Sequence, residues 1–500
     1  MDERLKAAHA ADERHEINEA VTLYSALIDA APSLLAAYGP LARLLLEKSE
    51  FEAAEDLAQT GLNHGDDSEL WAVRSQVAQA RYQAVDAIRF AQAAIEADIG
   101  CGYGWFALST AFGLAGEEAK AIEAIDDGLN LSPDHPDLLA EAAMDPRFSP
   151  SEQVRRLSQL VERFPARRAC AVNLALAIAN TGDYGAARAK IQDQIDINGN
   201  GHTLHGVAAM YAVFSSDLVA AEQAAEEALA IYPSSFYARF ALFHVAHQRG
   251  DQTEAREQLD GLHGLVAGTS LHANFVSQLV EITEGPQVTY ELLAEYAEQW
   301  PDSLGLQIAL ADLMARHGHQ GDAMSLIVAA REAWPGRYDL IKCECRLHME
   351  QGDFASAAAL FPHLDDDAEL ALYRLQIQAA SAASESEIQA LYTAHLAKYP
   401  TLDFVWGQLF RYAVEHGDLD EVDRLTSKPF TVPLAVVCAA RAYIFSLSEM
   451  YAEADRALST LLSSPDFTEH WIWAWEFALE ASLAPPLAHY NSEIRERSGL

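Results

Sequence analysis

The chain reads as an all-α solenoid of stacked helical hairpins, and three rulers running along it carry that expectation. Prolines that stop an apolar helix stand at Pro32, Pro133, Pro165, Pro233, Pro301, Pro335, Pro400 and Pro465, at spacings near multiples of 34. Glycines placed for a helix–helix turn are Gly116, Gly182, Gly250, Gly318, Gly352 and Gly417, spaced 66, 68, 68, 34 and 65. Small residues early in the following helix are Ala20, Ala54, Ala87, Ala121, Ala187, Ala221, Ala255, Ala323 and Ala357, mostly 34 or 68 residues apart. A fixed period shared by independent landmarks is the signature of a repeat architecture.

Each landmark has a local cause. A glycine just past a helix takes the left-handed conformation that a Cβ resists. A small residue lets the second helix approach the first closely, and proline, lacking an N–H, ends the pair. In the best-kept unit Trp105, Leu108, Ser109 and Phe112 recur at helical spacing, Gly116 turns the chain, and Ala121, Ile125 and Gly128 form the facing stripe before Pro133. Alternating strand patterns are absent from the sequence.

In chain order, this unit resembles the tetratricopeptide repeat almost position for position. Leu174-Ala175-x2-Ile178…Gly182…Ala187-x3-Ile191 follows it without the proline, and Leu310-Ala311-x2-Met314…Gly318…Ala323-x3-Ile327…Pro335 keeps it. About fourteen units are expected over residues 1–466 as one continuous solenoid. Irregular units are expected near 136–167, where MDPRFSPSE is inserted, near 362–368, and at TSKPFTVP, 426–433. Residues 467–500 differ: a tryptophan-rich helix, a break at Pro485-Pro486 and a polar capping helix. The resemblance implies a right-handed superhelix with the first helix of each hairpin on its concave face.

Of 500 residues, 50% are hydrophobic and 22% charged, enough for a large core. Against 34 Lys+Arg stand 74 Asp+Glu, a net charge of −40. So acidic a surface repels phosphate backbones and anionic lipid, so no nucleic-acid partner is expected. The same charge also suits adaptation to salt. No run approaches the roughly 18 apolar residues of a membrane span. The charged opening MDERLKAAHAADERHE has no apolar stretch of a secretory signal, so no membrane insertion and a cytoplasmic location are expected. The five scattered cysteines suggest neither a disulfide framework nor a zinc site.

No catalytic motif stands out, and no cofactor or metal is expected: nucleotide loops, H-E-x-x-H and G-x-S-x-G are all missing. Cys343 and Cys345 would point roughly 200° apart on a helix. The pairs His202/His205 and His244/His247 have ligand spacing but no third ligand nearby in sequence. The many carboxylates lie in solvated stretches, where a general acid is not set up.

What remains is the concave surface. Counted from the start of each first helix, residues 2, 5, 9 and 12 should point inward. That places an aromatic cluster there, Tyr103, Phe106, Tyr237, Phe240 and His244, with His247 and Tyr373 beyond it. Such rings suit peptide binding, and equally the packing between hairpins. A basic cluster, Lys342, Arg346, Arg374 and Arg411, departs from the acidic background, and suits either carboxylate binding or internal ion pairs. The asparagines of the family's carboxylate clamp are missing. Trp471, Trp473 and Trp475 form either a docking patch or the packing beneath the cap. The resulting expectation is a non-catalytic scaffold or adaptor holding a protein or peptide in its groove. Its alternatives are a subunit recruiting substrate to a separate enzyme and a peptide-sensing regulator.

Overall fold

The computed structural model describes every residue except 1, 15, 166, 199–200, 216, 267–268, 271–272, 366–367, 383, 399–403, 428–431, 433, 464–473 and 499–500. The described residues form helices without strands. Of their thirty α-helices, twenty-eight pair as fourteen hairpins, from Asp2–Glu13 with Ile17–Ala30 to Leu434–Leu447 with Tyr451–Ser463. None is long and apolar enough to cross a membrane.

The turn inside each hairpin is built as its residues dictate. All six ruler glycines are left-handed, with φ from +69° at Gly417 to +89° at Gly182. Where a hairpin lacks the glycine, Ser49, Tyr82 and Glu449 take its place at φ +63°, +57° and +60°. The bond pattern is the same in both cases: Glu117 N donates to Phe112 O and Gln83 N to Ala78 O, each at 2.9 Å. This satisfies a carbonyl left over at the helix end. After Gly250, Gly352 and Gly417 an aspartate caps the second helix, as when Asp418 Oδ1 accepts from Glu421 N at 3.0 Å.

Eight of the nine ruler alanines are fully or almost fully buried, for example Ala221 and Ala323. Ala121 is the exception and is half-buried. Its helix, Glu118–Leu131, instead approaches through Ala124 and Gly128. A Cβ on Gly128 would come within 2.6 Å of Trp105 Cβ.

The chain divides into two compact units, residues 1–365 and 366–500. The division falls within the irregular stretch 362–368, after the short helix Phe354–Leu360 and the 3-10 turn Phe361–His363. In the stretch 136–167 the helix Pro136–Ala143 is only eight residues long, and Ser149 caps the helix Pro150–Arg163. Of the segment 426–433, residues 428–431 and 433 lie outside the described residues, as do Pro400 and Pro465. The second unit has its own core, where Trp406 and Phe410 stack at 4.8 Å and Trp406 Nε1 donates to Leu425 O at 2.9 Å.

In the first unit the hairpin array curls back on itself. The second to eighth hairpins begin with the helices Tyr38–Glu47, Ser68–Ala80, Gly102–Ala115, Pro136–Ala143, Arg168–Asn180, His202–Phe214 and Phe236–Gln248. The turn of the second meets the start of the seventh: Ser49 Oγ lies 3.0 Å from His202 Nδ1, 153 residues on. The turn of the third meets the start of the eighth, where Tyr82 Oη accepts from Phe236 N at 3.3 Å, 154 residues on. Gly116, in the fourth, continues the series: a Cβ there would lie 2.8 Å from Ser270 Cβ. Glu118 then accepts from Leu304 N at 3.1 Å and from Arg337 at 2.8 Å.

A candidate binding chamber

The curl frames a half-open cavity of about 470 Å³, within the size range of ligand pockets. Seven successive hairpins line it. The helix-position rule explains why: Tyr103, Asp137, Ala169, Thr203 and Tyr237, the second residues of five successive first helices, all reach its wall. A repeat of about 34 residues delivers one side chain per hairpin to the same axial space.

Rings occupy one part of the wall. Tyr103 and Phe106 stack at 6.2 Å, and Tyr103 Oη donates to Gln76 Oε1 at 2.8 Å. Burial holds the Tyr103 phenol well above its ordinary range. Phe51, also on the wall, packs edge-on to His202 at 5.2 Å and to Tyr232 at 5.1 Å. Burial, with Arg168 nearby, lowers the His202 imidazole to about 4.

Ionisable groups occupy the rest, in two arrangements. Arg43 is compensated: it bonds Asp12, Glu47 at 2.8 Å and Glu69 at 3.3 Å. Burial opposes its charge, but the three acids outweigh burial and hold it above its ordinary range. Arg168 is not compensated in this way. Its guanidinium donates to a carbonyl, Glu47 O, at 2.9 Å, and burial lowers its pKa. Glu141 accepts from Asn173 Nδ2 at 3.0 Å, and burial raises it. Arg167 and Asp137 both act electrostatically on Cys170, in opposite senses, and burial pushes that thiol up to about 11. The chamber therefore offers donors, acceptors and ring faces, the chemistry of recognition.

The sites expected from sequence are distributed as follows. Tyr103, Phe106 and Tyr237 converge on the chamber wall. Phe240 does not: it is 1% exposed and wedged among Phe236, Phe275 and His244, so its ring has no face for a partner. His244 packs on Phe240 and Phe243, where burial lowers it to about 4. The basic residues divide between the units, Lys342 and Arg346 in the first, Arg374 and Arg411 in the second. Arg346 pairs with Asp312, and Arg411 with Glu476 at 2.8 Å, so these two guanidiniums are used in internal ion pairs. Trp475 is 5% exposed in the second unit's core, while Trp471 and Trp473 lie outside the described residues. His205 bonds Glu227 at 2.9 Å, and Cys343 and Cys345 contact different helices, at Asp312 and Ala357.

Sequence reasoning missed Arg43, Asp137, Glu141, Arg167 and Arg168. For Asp137 the signal was there, since it holds the same register position as Tyr103. The arginines were invisible because sequence does not say which hairpins meet across a superhelical turn.

The period, the left-handed turns and the buried small residues coincide in the same hairpins. The chain is a helical-repeat protein consistent with a tetratricopeptide array. No protein-family model matches it, and no curated protein does. Solved structures similar to it include yeast Tom70, at 12% identity and a TM-score of 0.35, covering 84% of this chain and 98% of that one. Another is the human IFIT1 dimer with PPP-AAAA, at 12% identity and TM-score 0.39, covering 79% and 90%. A third is the APC/C hetero-tetramer Cut9–Hcn1, at 12% identity and TM-score 0.37, covering 84% and 95%. The array's assignment rests on its own hairpin geometry.

Proposed function

We propose that this chain is a non-catalytic interaction protein that holds a protein or peptide segment on the concave side of its helical array. The observation that carries the reading is the convergence of Tyr103, Phe106 and Tyr237 with the charged groups Asp137, Glu141, Arg167 and Arg168 on one chamber. Buried aromatic anchors beside hydrogen-bonding groups are the usual source of binding energy at such surfaces. The net charge of −40 argues against a phosphate-backbone partner.

The peptide-sensing alternative has its own support. Ser49, Tyr82 and His202 both line the chamber and bridge successive turns, so an occupant would touch the contacts that hold the curl.

Filling the chamber tests the proposal. Ala169→Trp places a bulky ring at a lining position, and the tagged parent and variant are compared for partner retention from the native lysate at low and high salt. A partner retained by the parent and released by the variant, with unchanged circular dichroism, is the expected outcome. Equal retention by both removes the chamber from the reading.

A further inference from the structure

The chamber wall carries four charged side chains, Asp137, Glu141, Arg167 and Arg168, that are joined in no ion pair among the described residues. Elsewhere in this chain arginines bond carboxylates as a rule: Arg249 pairs with Glu222 at 2.5 Å, Arg316 with Glu281 at 2.5 Å and Arg74 with Glu55 at 2.9 Å. At the chamber Arg43 keeps the rule, and Arg167 and Arg168 depart from it. Among the described residues, the Arg167 and Asp137 side chains have neither an ion-pair nor a hydrogen-bond partner, although both lie close enough to Cys170 to act on it. Arg168 donates to a carbonyl and Glu141 accepts from an amide, although acids and guanidiniums line the same cavity.

Leaving a buried charge without a counter-charge is costly, and a chain with 74 acids had many ways to avoid it. Groups of both signs, held apart from each other around an open space, define a site that a ligand completes. The acidic pair, Asp137 and Glu141, belongs to the helix Pro136–Ala143, and the basic pair stands at the start of the next first helix, Arg168–Asn180. The N-terminus of that helix adds its partial positive charge to the basic side. The stacked rings of Tyr103 and Phe106 offer an apolar wall to the same space.

Resting on the reading of the chamber as a binding site, we infer that it takes a small zwitterion with an aromatic or aliphatic body. Its ammonium faces Asp137 and Glu141, its carboxylate faces Arg167 and Arg168, and its side chain lies against Tyr103 and Phe106. Free amino acids and short free peptides share this chemistry, and both fit the cavity volume.

The test uses the full chain and native mass spectrometry. It is incubated with an equimolar pool of free tripeptides carrying a central Phe, Tyr or Leu, with the same pool N-acetylated and C-amidated, and with free Phe and Tyr. The expected result is retention from the free pool, weakened by about tenfold when both termini are capped. Arg167→Gln and Asp137→Asn should each cost about tenfold as well, with circular dichroism unchanged. Glu141→Gln, which keeps the bond to Asn173, serves as a second acidic-side variant. Retention of Phe or Tyr alone assigns the amino-acid source, and retention of tripeptides alone assigns the peptide source. Equal retention of free and capped pools overturns the zwitterion inference and leaves peptide binding standing. No retention from any pool also overturns it, and if Ala169→Trp still releases the partner, the binding reading survives on its own.

Discussion

His202 shows how a single side chain can belong to both the fold and the chamber. Its ring bonds Ser49, lies between Phe51 and Tyr232 and is only 9% exposed. Burial lowers its pKa from 6.5 to about 4. An unfolded chain takes up the proton as pH falls below 6.5, whereas the folded chain does so only near 4. Stability from this site is therefore complete above pH 6.5 and declines between 6.5 and about 4. The decline amounts to up to about 3 kcal/mol. Urea denaturation across that window should show the loss, and His202→Gln should flatten it. A variant with the parent's pH slope would mean that the imidazole is protonated in the folded chain. The same residue scale accounts for Ser49 and Tyr82, which adopt a backbone that favours glycine. Their side chains bridge the turns, and those contacts offset the strain.

At the scale of the element, the hairpin is held by what its second helix lacks. Ala221 and Ala323 are completely buried where the two helices meet. Leucine at either position overfills the contact and should cost about 1–3 kcal/mol in thermal or urea unfolding. Ala121 holds the same register position but is half-buried, so leucine there should change stability by less than about 0.5 kcal/mol. If all three variants behaved alike, the packing of Glu118–Leu131 through Ala124 and Gly128 would be misassigned. The period alone predicted close approach at Ala121. Gly128 took over because it lets the helix settle against Trp105 and Leu138.

At the scale of the whole molecule, the contacts that curl the first unit join hairpins about 154 residues apart. Gly116 and Gly182 separate this effect from ordinary turn chemistry, since both are left-handed, at φ +78° and +89°. A Cβ on Gly182 meets open space, so Gly182→Ala should cost about 1–2 kcal/mol for its backbone alone. Gly116→Ala adds a collision with Ser270 and should cost measurably more. Combining it with Ser270→Gly should recover the excess, which comparison of denaturation midpoints checks. Equal costs for the two single variants would mean that the curl opens to admit the methyl group.

The hairpin, its turn and its period are local: each depends on residues within about 34 of one another, so glycines, alanines and prolines sufficed to read some fourteen units from the sequence. Tyr103, Phe106 and Tyr237 were legible for the same reason, because their facing follows from helix position. Phe240 obeys that rule too, yet the aromatic neighbours Phe236 and Phe275 close over it. Arg167, Arg168, Asp137 and Glu141 line one cavity through the superhelical turn that brings the seventh and eighth hairpins against the second and third. That turn is the sum of small rotations between neighbouring hairpins, a quantity set by packing across every interface at once and written in no single repeat.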